Sequence, residues 1–324
     1  MKTAIISGIT GQDGAYLGKL LVEKGYKIIG LVRNIANANT FGLNYLGIEK
    51  NIILEECDLT DITQILRLLT HYKPTEIYNL AAQSSVSVSF KHPISTLHFN
   101  ITSVLNILEA IRIINPKIKF YQASSSEMFG RVLDLPITEN TTFHPLSPYA
   151  ISKASAHWTT VNYREAYGLF ACCGILFNHE SYLRSGDFFI KKVIRDCIAI
   201  YYKQKEYLEV GNIQIKRDFG FAPKYVEAMW LMLQQENADD YLICSGKSVS
   251  LESIILHIFK RFNIPEEKLL IRDSLFRPTE IADNYGVANK AHENLKWSYD
   301  FDFYTILDLI IEEELLNRKN ESKD

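Results

Sequence analysis

Apolar and polar positions along this chain switch between two periods. Runs of about four to eight mostly apolar residues read as buried strands, and stretches with an apolar residue every three or four positions read as helices. Thr3 to Ser7 is the first such run, and Tyr16, Leu17, Leu20, Leu21 and Val22 then form one helical face ended at Gly25. Lys27 to Val32 and Ile52 to Leu54 are further strands. Between them lie the Asn-rich loop Asn34 to Thr40 and the stretch Phe41 to Lys50, a loop with room for a short helix. Ile62 to Leu69 is helical, Glu76 to Asn79 is a strand, and Asn100 to Ile114 is helical through Val104, Ile107, Leu108 and Ile111. Lys119 to Gln122 and Phe170 to Phe177 add two strands, and Phe188 to Tyr202, Val226 to Leu233 and Tyr304 to Leu316 read as helices.

Strands alternating with helices through short connections predict an α/β fold, a doubly wound parallel sheet of Rossmann type covered on both faces. Residues 1–177 plus about 213–240 are expected to form that sheet domain, with a smaller, discontinuous α/β lobe from about 178–212 plus 241–324. Ligands of such sheets bind at the carboxyl ends of the strands. Four suspicious stretches fall there.

The first is Gly8-Ile-Thr-Gly11-Gln-Asp-Gly14, between a strand and a helix. Glycines at this spacing allow a tight turn and bring backbone N–H groups close to a pyrophosphate at a helix N-terminus. The second is the small-residue turn Leu80-Ala81-Ala82-Gln83-Ser84, where backbone can approach a ligand. The third, Ala123-Ser-Ser125-Ser126-Glu127, ends a strand in a carboxylate, and the fourth is Ser147-Pro-Tyr149-Ala-Ile-Ser-Lys153. In that last stretch Ser147 is an N-cap, Pro148 fits the first helical position, and Tyr149 and Lys153 share a helix face. A free tyrosine has a pKa of about 10. An adjacent ammonium and the positive end of a helix dipole both favour the phenolate, so Tyr149 reads as a proton-transfer group. After the second strand stands Arg33, where an acidic residue would suit a free ribose 2′-hydroxyl; the cation suits a 2′-phosphate, and NADP is expected over NAD.

Composition narrows the class. The chain has 324 residues, 47% hydrophobic, and a net charge of −3, which gives nucleic acid or a polyanionic membrane no electrostatic hold. Cys57, Cys172, Cys173, Cys197 and Cys244 show no metal-ligand spacing, so no metal is expected and a reducing cytoplasm is the natural home. The segment before Gly8 is too short for a signal peptide, and no run approaches the roughly 18 apolar residues of a membrane span. The polar end from Asn317 to Asp324 is expected to fray.

Gly8/Gly11/Gly14, Asn79-Leu-Ala-Ala-Gln-Ser84, Ser125-Ser-Glu127 and Tyr149/Lys153 together resemble an extended short-chain dehydrogenase/reductase. The finer wording is similar to the GDP-mannose 4,6-dehydratase branch: Tyr121-Gln-Ala-Ser, Val161-Asn-Tyr-Arg-Glu-Ala-Tyr167, Phe177-Asn-His-Glu-Ser181, Gly211-Asn, Lys216-Arg-Asp218, Tyr225-Val-Glu-Ala-Met-Trp230 and Arg277-Pro-Thr-Glu280. The resemblance runs from the first strand to about Trp297. It implies oxidation of C4 of a GDP-linked hexose, loss of water across C5 and C6, and hydride return to C6, with NADP catalytic and retained. Tyr149 and Lys153 would then serve the 4-hydroxyl, Glu127 the C5 proton and the departing 6-hydroxyl, and Ser125 the 4-oxygen. The resemblance also places Thr10, Gln12, Asp13, Asp58, Leu59, His179 and Arg184 with the glycine and Leu80–Ser84 turns at the cofactor. It assigns Ser85, Ser126, Asn178, Lys192, Arg217, Arg277 and Glu280 to the substrate, and implies a homodimer or homotetramer.

Four departures from the branch stand out. Ser125 replaces a Thr and keeps the hydroxyl. Arg33 is followed by Asn34, Ile35 and Ala36 rather than a second arginine and serines, which thins the 2′-phosphate site and the tetramer contacts of that arm. Ser85 replaces a His, and Tyr182-Leu183 replaces Pro-Arg, changes expected to flank the sugar pocket. GDP-mannose is the default substrate, with GDP-N-acetylglucosamine or a GDP-heptose as alternatives. A nucleotide-sugar 4-epimerase would need no carboxylate at Glu127, and a non-catalytic nucleotide-binding protein would be expected to have lost Tyr149, Lys153 or Glu127.

Overall fold

The computed structural model describes residues 1–321. Its first half runs β1 (Thr3–Ser7), α1 (Gln12–Glu23), β2 (Lys27–Val32), α2 (Phe41–Tyr45), β3 (Ile52–Glu56), α3 (Ile62–Tyr72), β4 (Glu76–Asn79), α4 (Val86–Lys91), α5 (Pro93–Ile114) and β5 (Lys119–Ser125). There follow α6 (Pro148–Tyr167), β6 (Ala171–Leu176), β7 (Asn178–Glu180), α7 (Phe189–Tyr201), β8 (Leu208–Val210), β9 (Lys216–Phe221) and α8 (Ala222–Gln234). The chain ends in β10 (Asp240–Ile243), β11 (Ser248–Ser250), α9 (Leu251–Phe262), β12 (Leu269–Ile271), α10 (Asn289–Leu295) and α11 (Phe303–Glu321).

The most apolar runs pair into a seven-stranded sheet ordered β10-β6-β5-β4-β1-β2-β3, with every neighbouring pair parallel. Parallel neighbours need long crossovers, and the helices that supply them cover both faces. Leu17 and Leu21 of α1 meet Met229 and Met232 of α8 in the core on one face. Leu68 of α3, Val104 and Ile107 of α5 and Ala156 of α6 form the core on the other. The doubly wound arrangement expected from the hydrophobic pattern is therefore the observed one. Strand order reverses between β1 and β4, which opens the crevice at their carboxyl ends.

A second core gathers α7, α9 and α11 around β8 and β9, with Ile194, Ile255 and Leu307 at its centre. It carries a three-stranded sheet, β11-β9-β7, and a two-stranded one, β12-β8. The division is finer than a cut near residue 240. β10 pairs with β6 and belongs to the main sheet, and Ala291, Leu295 and Trp297 pack into the large core. Conversely Ile213, Ile215 and Phe219 belong to the smaller core.

Several bounds differ from the hydrophobic reading for local reasons. β5 continues to Ser125 because its last three residues still pair with Gly174, Ile175 and Leu176. α5 starts at Pro93, a good first-turn residue, so its polar opening is helical too. α4 carries no clear apolar stripe and is set by its Ser85 N-cap, whose hydroxyl accepts from Val88 N. α5 is long and apolar enough to cross a membrane by length and composition. It packs instead against α3 and α6, and its buried face includes Thr96, Asn100 and Ser103. The polar tail expected to fray from Asn317 is helical as far as Glu321, and the last three residues of that tail lie outside the described set.

Gly174 shows how tightly the sheet meets its helices. A Cβ there would run into the ring and hydroxyl of Tyr121, itself fully buried. Overpacking of this kind costs about 1–3 kcal/mol. Gly174→Ala is expected to lower the unfolding free energy by that amount, read as a lower urea midpoint at an unchanged slope of unfolding.

Candidate active site

The turn after β1 is built for close approach. Gly8 has φ of +72°, and a Cβ on it would lie 2.9 Å from Ala81 N of the turn after β4. Gly11 N bonds back to Gly8 O at 3.0 Å, and Gly11 caps α1 with no side chain bonded to the first helical N–H groups. Those donors and the positive end of α1 face a cavity of about 650 Å³. Gly8, Thr10, Gly11, Gln12, Asp13, Gly14, Arg33, Leu59, Leu80, Ala81, Ala82, Ser84 and Arg184 all line it. A cradle that any Cβ would fill, with open backbone donors beneath it, fits the pyrophosphate of a dinucleotide. The Asn-rich stretch contributes Asn34, Asn37 and Asn39, which the sequence marked only as a loop.

A second cavity of about 220 Å³ adjoins the first through Asp13, Leu80, Ser84 and Arg184, which belong to both walls. Ser125 and Glu127 enter it from the end of β5, and Tyr149 and Lys153 from the first turns of α6. Ser85, Asn178, His179, Arg217 and Arg277 complete the polar lining among the expected residues, and Asp187 and Phe188 join them unannounced. Ser147 Oγ accepts from Ala150 N at 3.0 Å, the N-cap the sequence implied. Asn100, missed by motif reading, ties the site together. Its amide donates to Ser152 Oγ at 2.9 Å, and its carbonyl accepts from Gln83 N at 2.8 Å. Ser152 in turn donates to Tyr149 O at 2.7 Å, so the turn after β4 holds the catalytic helix.

Electrostatics here differ from the expected phenolate. Lys153 Nζ donates to Ala123 O at 2.8 Å and stands 5.9 Å from the centre of the Tyr149 ring. Burial dominates both groups. It pushes the Tyr149 phenol up to about 12, against a smaller opposite pull from Ser125, and it pushes the Lys153 ammonium down to about 8. Burial thus favours the neutral phenol, and a further positive charge would favour the phenolate.

Four expected residues turn elsewhere. Asp58 accepts from Thr60 N at 2.9 Å and Thr60 Oγ1 at 2.7 Å, a local turn that holds its carboxylate off the cavity. Ser126 is buried behind the wall, where its carbonyl accepts from Asn284. Lys192 satisfies Glu209 O at 2.8 Å on β8. Glu280 stays near the site but serves Arg277, accepting from its N–H at 3.4 Å. Tyr182 and Leu183, expected beside the sugar, pack away from it: Tyr182 lies 4.9 Å from the Tyr45 ring, and Leu183 fills the space beside Gly42. Among the described residues no group of three His, Cys, Asp or Glu side chains is placed to hold a metal.

A family model described as GDP-mannose 4,6 dehydratase matches residues 5–310. GDP-mannose 4,6 dehydratase 1 of Arabidopsis thaliana is 45% identical over 99% of this chain and 91% of its own length. The Drosophila melanogaster GDP-mannose 4,6 dehydratase is 39% identical over 98% of this chain and 88% of its own length. The Homo sapiens enzyme of that name is 41% identical over 91% and 86%. Among solved structures, the dTDP-glucose 4,6-dehydratase DesIV of Streptomyces venezuelae, with NAD and TYD bound, superimposes with a TM-score of 0.89 at 17% identity over 98% of both chains. The UDP-glucose 4-epimerase of Thermotoga maritima, with UDP-glucose, reaches 0.85 at 21% identity over 96% of this chain and 97% of that one. At such identity these last two likenesses speak for the fold.

One buried ion pair braces the junction of the two cavities. His179 Nε2 lies 3.0 and 2.9 Å from the Asp13 carboxylate oxygens, its Nδ1 is held by Phe177 O at 2.7 Å, and its ring stacks on Tyr225. Burial opposes both charges, but the partners outweigh it, so His179 is raised above its usual 6.5 and Asp13 lowered below its usual 3.8. The His179 contribution is full below 6.5 and is lost as pH rises through its raised value. The Asp13 contribution is full above 3.8 and is lost as pH falls through its lowered value. Asp13→Asn is expected to cost about 3–5 kcal/mol between those limits, with the difference from wild type shrinking as the imidazolium titrates. Urea unfolding from pH 5 to 9 reads this directly, and a pH-independent difference would mean that the pair is not ionic.

Proposed function

The chain belongs to the GDP-mannose 4,6 dehydratase family, and from that membership we propose that it converts GDP-mannose to its 4-keto-6-deoxy derivative by loss of water across C5 and C6. One observation carries the reading: a carboxylate, Glu127, shares the small cavity with the Tyr149/Lys153 pair. Oxidation at C4 alone needs only the pair. Elimination needs in addition a base for the proton that a C4 ketone acidifies.

The residues divide the work. When bound, an oxidised nicotinamide would supply a hydride acceptor and a positive charge. Tyr149 takes the proton of the 4-hydroxyl, and Lys153, held by Ala123 O, stabilises the phenolate as it forms. Ser125 donates to the 4-oxygen and steadies its developing charge. Glu127 removes the C5 proton and returns a proton to the leaving 6-hydroxyl. Arg217 and Arg277 give the diphosphate its cationic contacts, with Asn178 beside them. Asp58, Ser126 and Lys192 take no part in this assignment.

Of the three departures expected beside the sugar, only Ser85 remains on the cavity wall. That favours GDP-mannose over GDP-N-acetylglucosamine or a GDP-heptose, since Tyr182 and Leu183 have no contact with the space the sugar would fill. We propose NADP as the cofactor, because Arg33 and the asparagines around it supply a cation and amide donors where a 2′-phosphate would sit. Five buried thiols suit a reducing cytoplasm, and a homo-oligomer completes the proposal.

The test is a panel of GDP- and UDP-sugars scored for 4-keto product, run on wild type and Glu127→Gln. Gln is nearly isosteric and cannot take the proton. The variant is expected to lose roughly 10²–10⁴-fold in dehydration and to suppress solvent deuterium uptake at C5, while C4 oxidation survives as accumulated reduced cofactor. Normal dehydration with full exchange would move the base elsewhere. For the cofactor, Arg33→Ala is expected to weaken NADP by about tenfold or more and NAD much less, as loss of one charge-assisted contact implies. Equal losses for both would show that Arg33 does not read a 2′-phosphate.

A further inference from the structure

Arg217 is a buried site cation that stands beside Glu127. It stands on β9, is 5% exposed, and its Nη1 donates to Lys216 O and Ile281 O, both at 2.7 Å. Those two carbonyls fix the guanidinium. Its Nε edge then faces the cavity 4.0 Å from Glu127 Oε1. Tyr149 and Lys153 from α6, with Asp13, His179, Arg184 and Asp187, share that cavity, and Arg277, Glu280 and Asp283 come from the segment that runs along β9. Glu280 Oε1 accepts from Arg277 N, and Asp283 Oδ2 from Ser248 Oγ at 3.2 Å. Burial lowers the Arg217 pKa and Glu127 raises it, with Arg277 lowering it and Glu280 and Asp283 raising it further.

A guanidinium fixed on one side offers a single edge to two anions, the carboxylate of the base and the diphosphate of a sugar nucleotide. We propose that Arg217 is a positioning residue that couples the two, so that a nucleoside diphosphate seated on it competes with Glu127 for that edge and loosens its hold on the carboxylate. The inference rests on reading Glu127 as the base and a GDP-sugar as substrate. Coupling of this kind is reciprocal. Whatever the diphosphate takes from the Arg217–Glu127 contact, removing the Glu127 charge adds to the affinity for the diphosphate.

The reciprocal arm gives a test independent of turnover. GDP is titrated calorimetrically into wild type, Glu127→Gln, Arg217→Gln and the double variant. With Arg217 present, Glu127→Gln is expected to tighten GDP by at least about fivefold, the lower edge of ordinary coupling between linked sites. In the Arg217→Gln background the same change should gain less than half of that factor. A structural role alone would not produce tighter binding from loss of a side chain. Equal tightening in both backgrounds, or none with Arg217 present, overturns the proposal. Should Arg217→Gln fail to fold, the cycle is run with Arg217→Lys, which keeps the charge but not the planar edge fixed by two carbonyls. Equal tightening by Glu127→Gln in both backgrounds again overturns the proposal. Failure of the underlying reading looks different, since GDP would then bind no better than UDP to any of the four proteins.

Discussion

The site depends on one close approach, that of the glycine turn after β1 to the small-residue turn after β4. Ser7 Oγ accepts from Leu80 N and Ala81 N, both at 3.1 Å, and donates to Asn79 Oδ1 at 2.6 Å. Asn79 passes the chain of hydrogen bonds to Gln122 on β5 at 2.8 Å. Ser7, Asn79 and Gln122 are buried, so leaving any one of these side chains unpaired would carry the full desolvation cost of that group. This polar rung locks the carboxyl ends of three adjacent strands in register. The cofactor cradle and the end of β5 that presents Ser125 and Glu127 are therefore parts of one rigid edge.

Burial then sets the chemistry of that edge. The same desolvation raises the Tyr149 phenol and lowers the Lys153 ammonium. Opposite charges meet at Asp13–His179 and Glu127–Arg217. In such a site each added charge acts in a medium that screens it poorly. An ordinary lysine–tyrosine helix pair in water would lack that property.

The hydrophobic periods carried the sheet, its crossovers and the position of the glycine turn, since those follow from local pattern. The Ser125, Glu127, Tyr149 and Lys153 cluster was legible because all four sit at strand or helix ends on one edge. What the sequence hid were side-chain directions. Lys192 had the right charge and the right segment, yet it satisfies a carbonyl on β8. Tyr182 follows the Asn178–Ser181 string directly but turns toward Tyr45. Asp58 lies at a strand end and is consumed by its own turn. Arg217 and Glu127 are brought together only by the crossing of β9 beneath the end of β5, a contact that no local spacing encodes. Asn100 escaped notice because a buried amide inside an apolar helix looks, in sequence, like an ordinary polar position.

The two cores also divide the reasons for specificity. The large sheet is shared in outline with a dTDP-glucose dehydratase and a UDP-glucose epimerase, so it cannot by itself decide nucleotide or reaction. The deciding groups sit where the smaller lobe touches it. The segment from Arg277 to Gly286 bonds along β9 through Lys216 N to Ala282 O and Asp218 N to Asn284 O. It reaches the turn that carries Glu127 through Asn284 Nδ2 to Ser126 O at 3.4 Å, and it pairs with Ile137 at Gly286. A single strap thus begins at Arg277, holds Arg217 by Ile281 O, and ends against the turn bearing Glu127. Arg277, Arg217 and Glu127, three charged side chains of the cavity wall that come from different elements, are therefore held in one mechanical unit.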